Sequence, residues 1–118
     1  MIKVVGFVKR RKDLTREQFK DYWLNNHSKL EKESVETTYT RKIVASFATG
    51  EKLREEEPIF DGMVELYFDS IEDMRAQFAG QRREVMRKDE ENFVDLSEEP
   101  VFVITEEYLI AEKTPRKL

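Results

Sequence analysis

The stretch IKVVGFVKR, from Ile2 to Arg10, alternates as a strand does, yet both of its faces are apolar. Ile2, Val4, Gly6 and Val8 fall on one side, and Val5 and Phe7 on the other. PVFVITEEYLIAE, from Pro100 to Glu112, begins in the same way. A sheet built from such strands has two faces to keep from water. The chain has 118 residues, which makes a single domain over residues 1–118 with helix enough for one face. A second copy of the chain can cover the other, through a symmetric interface between two sheets.

Between those strands the elements alternate. Thr15 and Gln18 form a capping-box pattern ahead of a helix whose Phe19, Trp23 and Leu30 share one stripe, with Tyr22 beside it. At about 100° per residue His27 lies about 60° from the centre of that stripe, on the border of the buried face. TYTRKIVASFATG, from Thr38 to Gly50, reads as a second strand, and the charged EKLREEEP that follows reads as a loop. FDGMVELYFD, from Phe60 to Asp69, is a third strand, with Val64, Leu66 and Phe68 on one face and Met63, Glu65 and Tyr67 on the other. Ser70 caps a helix carrying Ile71, Met74 and Phe78, which breaks at Gly80. A further helical segment carries Val85, Met86 and Phe93, and the fourth strand follows before a loose tail, Lys113 to Leu118. The order β-α-β-β-α-β predicts an α+β, ferredoxin-like domain with a four-stranded antiparallel sheet.

Composition narrows the function classes. Charged residues make up 39% of the chain, but the net charge is −4, so the basic runs KRRK and QRREVMRK read as solvated faces, not as a nucleic-acid surface. There is no cysteine and only one histidine, which leaves no thiolate metal site and argues against tetrahedral zinc. No apolar run approaches a membrane span, and a cytoplasmic location is the expectation.

Any imidazole chemistry must use His27. Asp89 falls inside the apolar stripe of Val85, Met86 and Phe93, where a carboxylate needs a partner. Asp61, before Gly62, reads as turn chemistry or as a second acid. Tyr39, Tyr22 and Tyr67 are packing residues or hydrogen-bond donors. Glu65 faces either a pocket or the interface between copies. No phosphate-cradling loop, Ser-His-Asp order or HExxH motif is present.

Three stretches, FKDYWLNNHSKL, FDGMVELYFDSIEDM and DEENFVDLSEEPVFVITEE, occur in register over nearly the whole chain. Together they resemble the EthD-like family of dimeric α+β barrel proteins. In this numbering the pattern runs through Phe19, Tyr22, Trp23, His27 and Leu30. It continues through Asp61, Gly62, Glu65 and Phe68 to Asp89, Phe93, Asp95 and Pro100. Phe60 stands where the family's Y-D-G triplet usually has tyrosine. The resemblance implies the same fold and a homodimer through the open sheet face. It leaves the reaction open, because the superfamily includes polyketide cyclases, dehydratases, decarboxylases, lactone isomerases and haem-linked or cofactor-free oxygenases. Related lactone isomerases hold a pocket histidine near the end of the first helix and a tyrosine on strand two, matching His27 and Tyr39 here. Many EthD-like sequences add a second histidine a few residues on, where this chain has Ile43.

The reading that joins these points is a cofactor-free enzyme moving protons on a small hydrophobic or aromatic carbonyl compound. His27 would be the general acid/base, and Asp89 or Asp61 its partner or a second acid. Tyr39 or Tyr22 would steady an oxyanion, and Trp23, Glu65 and Tyr67 would help line the pocket. The alternatives are a haem- or flavin-assisted oxygenase with His27 as ligand, and a non-catalytic ligand-binding or accessory protein of a degradation pathway.

Overall fold

A computed structural model describes residues 1–116. The two final residues of the tail expected to be loose, 117–118, lie outside the described residues. The elements run β1 (Ile2–Val8), α1 (Arg16–Tyr22), a π-helical turn (Trp23–His27), α2 (Ser28–Thr37), β2 (Lys42–Phe47), β3 (Gly62–Phe68), α3 (Ile71–Ala79), α4 (Arg82–Glu90) and β4 (Val101–Glu106). The sheet has the order β2-β3-β1-β4, every pairing antiparallel, with all helices on one side. This is the ferredoxin-like arrangement that the element order predicts.

Local chemistry starts the helices where the sequence indicates. Thr15 Oγ1 accepts from the Gln18 amide at 3.1 Å, and Gln18 Oε1 accepts from the Thr15 amide at 2.9 Å, a complete capping box. Ser70 caps α3 through the Asp73 amide, and α3 ends at Gly80.

Three boundaries differ from expectation. β1 stops at Val8, and Arg10 makes only an isolated bridge to Val94. β2 is shorter than Thr38–Gly50, because residues from Thr38 to Arg41 turn the chain out of α2. β4 ends at Glu106, which pairs with Ile2, the first residue of β1. Past that register the Glu107 amide donates to the Met1 carbonyl at 3.4 Å, and Tyr108, Leu109 and Ile110 then leave the sheet, with Ile110 91% exposed.

The helix-side core falls into two clusters. One gathers Val8, Phe19, Trp23, Phe93 and Val94, and the other gathers Val4, Phe68 and Met74. Phe93 is 1% exposed and sits 5.7 Å from the Phe19 ring, 5.6 Å from Trp23 and 4.9 Å from His27, centroid to centroid. Truncating such a ring leaves a cavity the neighbours cannot fill. Phe93→Ala is therefore expected to lose about 3–5 kcal/mol of stability, read as a lowered urea midpoint at unchanged slope. Gly62 makes room for this cluster. A Cβ there would lie 3.0 Å from Trp23 and 3.1 Å from Phe19, so a side chain at this position would press on both rings, which glycine lets pack close to β3.

The opposite face carries no helix. Val5 and Phe7 of β1, Met63 of β3, and Val101 and Val103 of β4 alternate onto it, with Val101 and Val103 about half exposed. Glu65 and Tyr67 lie on this face too. Lys3 Nζ donates to Glu65 at 2.7 Å and to Glu107 at 2.8 Å, and the Tyr67 hydroxyl donates to Glu107 at 3.1 Å. The expectation that Glu65 and Tyr67 help line the pocket is corrected: strand alternation turns both away from the helices. Among the described residues no helix is long and apolar enough to cross a membrane.

Candidate active site

The buried residues of the first helical segment are Phe19, Trp23, His27, Glu31 and Ser34, the first four of them spaced by four. In a regular α-helix each such step overshoots a full turn by about 40°, so the stripe would wind away from the sheet. The π-helical turn absorbs that drift. The Ser28 amide reaches back five residues to the Trp23 carbonyl, and each residue inside the turn advances by less than in an α-helix. His27 thus moves from the border of the buried face into it and is 4% exposed. Leu30, expected on the stripe, gives way to Glu31.

His27 Nδ1 lies 2.8 Å from Asp89 Oδ2, so α1–α2 and α4 meet through an imidazole–carboxylate pair. Asp89 collects further donors: the Tyr22 hydroxyl at 2.7 Å and Asn92 Nδ2 at 3.3 Å, both to Oδ1. Burial opposes ionisation of Asp89, but the hydrogen bonds from Tyr22, His27 and Asn92 outweigh it and hold its carboxyl below the usual aspartate range. Burial pushes the His27 imidazole below its usual range, and the Asp89 charge only partly opposes that. At neutral pH the pair is therefore an aspartate and a neutral imidazole. The aspartate only accepts, so Nδ1 carries the proton and Nε2 keeps its lone pair. Nε2 has no hydrogen-bond partner among the described residues and is not sealed from solvent.

His27 opens onto a cavity of about 110 Å³ between the sheet and the helices. Val64, Leu66 and Phe102 form its sheet wall, Trp23 and Phe93 flank the imidazole, and Arg83, Arg87 and Glu90 come from α4. Two carboxyl groups face the same space. Glu31 is 7% exposed and accepts from Trp23 Nε1 at 2.9 Å. Burial raises its carboxyl to about 7, against the Trp23 hydrogen bond and with help from the Glu90 charge. Burial likewise raises Glu90 to about 7, although Arg87 and Arg83 favour its ionised form. Glu90 has no side-chain hydrogen bond among the described residues.

Of the residues singled out by sequence, the structure brings His27, Asp89, Tyr22 and Trp23 together. Tyr22 serves the pair from behind through Asp89, stacked on Phe93 at 5.1 Å, and is not part of the cavity wall. Tyr39 is a correction. It sits in the turn before β2, 53% exposed, held through its backbone to Gln77, and its ring lines no part of the cavity. Asp61 is another. Its carboxylate accepts from the Arg10 amide at 2.9 Å and from Arg10 Nε at 3.3 Å, and lies 3.6 Å from Arg16 Nε. Its backbone also bridges Val8 and Ala48. It fastens the ends of β1 and β2 and leaves Asp89 as the carboxylate beside His27. No group of three or more His, Asp or Glu residues placed to hold a metal ion occurs among the described residues.

Sequence reasoning missed Glu31 and Glu90. Both could have been found. Glu31 continues the spacing of four from Phe19, and Glu90 lies four after Met86 and three before Phe93.

The fold has counterparts. The EthD domain model matches residues 11–97. An EthD family protein from Bacillus halodurans C-125 is 20% identical, with a TM-score of 0.69 over 92% of this chain and 99% of that one. An EthD-like protein from Ralstonia eutropha JMP134 is 18% identical, with a TM-score of 0.70 over 96% of this chain and 95% of that one. A dimeric protein of unknown function with a ferredoxin-like fold, from Bacteroides fragilis, is 17% identical, with a TM-score of 0.62 over 89% and 94%. No curated protein matches the sequence. With its domain model matched from Arg11 to Ser97, across the first helix, β3 and Asp89, this chain belongs to the EthD family.

Proposed function

We propose that the protein is a homodimeric enzyme that moves protons on a small hydrophobic or aromatic carbonyl compound without a cofactor. The observation that carries this reading is the His27–Asp89 pair at the wall of an apolar cavity, with Nδ1 committed to the carboxylate and Nε2 free. A neutral imidazole fixed in one tautomer is a base aimed at whatever occupies the cavity. Its proton acceptor is Nε2. Asp89 stabilises the imidazolium that forms, and Tyr22 and Asn92 keep Asp89 in place. Trp23, Phe93, Val64, Leu66 and Phe102 supply the apolar wall that excludes water and suits a ring or an alkyl chain. The cavity volume of about 110 Å³ supports a small substrate and disfavours a haem or a flavin.

The dimer rests on the uncovered sheet face. Val5, Phe7, Met63, Val101 and Val103 would exchange water for their counterparts in a second copy. The dimeric relative from Bacteroides fragilis supports this assembly.

The test is α-proton exchange into deuterated water, followed by NMR across a panel of aryl and cyclic ketones and conjugated lactones. The native protein is expected to accelerate exchange for a subset. His27→Ala and Asp89→Asn are expected to lower that rate by about 10²–10⁴-fold. A panel on which His27→Ala exchanges as fast as the native protein would overturn the assignment. Ligand binding without exchange would favour the accessory-protein reading.

A further inference from the structure

Two groups in the cavity wall have no part in the dyad, and both are acids. Glu90 faces the cavity without a hydrogen-bond partner among the described residues. Glu31 is fixed by Trp23 Nε1 and lines the cavity on one side. On its other side, with Trp23 and Ile43, it lines a groove between α2 and β2 that opens outward past Leu24, Lys32 and Val35. Glu31 therefore touches both the ligand space and a separate route to solvent.

We propose that Glu90 is a second proton-transfer residue of this cavity and Glu31 its positioning partner, so that the substrate is a carbonyl compound enolised by a base and an acid together. The proposal rests on the reading of His27 as the base. In the forward step His27 Nε2 takes a proton from the carbon beside the carbonyl. That C–H electron pair becomes the C=C bond, the carbonyl π pair moves to oxygen, and the oxygen takes the proton of the Glu90 carboxyl. In the return step the enol oxygen gives its proton back to the Glu90 carboxylate and the C=O bond reforms. The C=C pair then takes the proton from His27. Return to the same carbon exchanges hydrogen with solvent, and return to the far end of a conjugated dienol shifts a double bond. Neither needs an oxidant or a reductant.

The surroundings decide whether Glu90 can be the acid. From its own helix it meets Asp89, which disfavours its charge, and Arg83 and Arg87, which favour it, while Arg82, also in the cavity wall, is bonded to Leu30, Glu33 and Ser34. From the first helical segment His27 and Glu31 share the cavity. The walls from α3 and the sheet, with Gln77, Phe78, Ile43 and Leu66, carry no charge. Burial outweighs the two arginines, and the Glu90 charge in turn opposes ionisation of Glu31. In neutral solution the two acids thus retain a proton that ordinary glutamates would have lost. The groove behind Glu31 lets that proton exchange with water while the cavity is occupied.

Two measurements on the full-length protein test this. The first is a ¹³C NMR titration of the glutamate side-chain carboxyls. Two carboxyls are expected to titrate near 7, and Glu90→Gln is expected to move the remaining one toward the ordinary glutamate range. Both carboxyls titrating in the ordinary range would overturn the proposal. The second is ¹⁹F NMR binding of pentafluorophenolate, an enolate mimic that stays ionised over the range used. A neutral carboxyl donates to the oxyanion and a carboxylate repels it, so its Kd is expected to rise at least ~5-fold from about pH 6.5 to 8.5. In Glu90→Gln the amide donates at every pH, and the rise is expected to shrink to within about 2-fold. An equal rise in both proteins, or no binding to the native protein, would overturn the role of Glu90. His27→Gln separates the two readings: it is expected to abolish α-proton exchange and leave this pH dependence in place.

Discussion

At about pH 8 the Glu90→Gln variant is expected to be more stable than the native protein by roughly 2–3 kcal/mol, and at about pH 4.5 the two are expected to match. The sign follows from proton counts. Unfolded, the Glu90 carboxyl titrates near 4.5; folded, it titrates near 7. Between those values the folded protein binds a proton that the unfolded chain has released. Stability therefore falls as pH rises through the window and stays low above it. At about 1.4 kcal/mol per pH unit, the full penalty is ~3 kcal/mol. Glutamine keeps the shape and removes the charge, so the penalty disappears. His27 works in the opposite direction: its folded value is depressed, and its stabilisation is lost as pH falls below the usual histidine range. That contribution is common to both proteins and cancels in their difference. Thermal unfolding at the two pH values reads the result, as a gain of about 10 °C at the higher pH. A variant that is equally stabilised at both, or destabilised at pH 8, would show that Glu90 ionises freely in the folded state. A stabilised variant with impaired chemistry is the usual signature of a strained functional group.

Val5→Asp is expected to convert the proposed dimer to monomers, with the dissociation constant raised at least ~100-fold. Val5 lies at the middle of the open sheet face, opposite Glu65 on β3 and Val103 on β4. An aspartate there places a second carboxylate beside Glu65. Among the described residues the ammonium paired with Glu65, that of Lys3, is already shared with Glu107. In the monomer the new charge faces water and costs little; in the dimer it is buried without a counter-ion. Sedimentation velocity distinguishes the two states, with Leu24→Asp on the exposed helical side as the control expected to leave assembly unchanged. A native protein that sediments as a monomer, or a Val5→Asp protein that remains dimeric, would sink the proposed interface.

The sheet was readable because alternation is a two-state pattern. Val64, Leu66 and Phe68 on one face of β3 already divide helix side from open side, and the caps at Thr15 and Ser70 mark the helices by side-chain chemistry. His27 and Asp89 were readable because each is an oddity: the only imidazole, and a carboxylate in an apolar stripe. What stayed hidden depended on contacts distant in sequence. Asp61 and Asp89 look alike as partners for His27 until the arginines at positions 10 and 16 are seen to occupy Asp61. Glu65 and Tyr67 share a face, but alternation alone does not say which face holds the pocket. Glu31 and Glu90 were lost among 25 acidic residues, nearly all of which the eye assigns to solvent. The π-helical turn had no local signal, since no glycine or proline marks it in WLNNH.

That turn has a consequence for how such a site can be gained or lost. It amounts to one surplus residue in an otherwise continuous helix. Deleting a single codon between Trp23 and His27 would restore a plain helix. Three steps of a plain helix turn through about 300°, so everything after it would sit about 60° away from its present bearing relative to Phe19 and Trp23. Trp23 would still pack, and the sheet and its caps would be untouched. His27 and Glu31 would swing together to the border of the buried face, and the imidazole would draw away from Asp89. The imidazole–carboxylate pair thus depends on the phase of the helix as well as on the identity of its two residues.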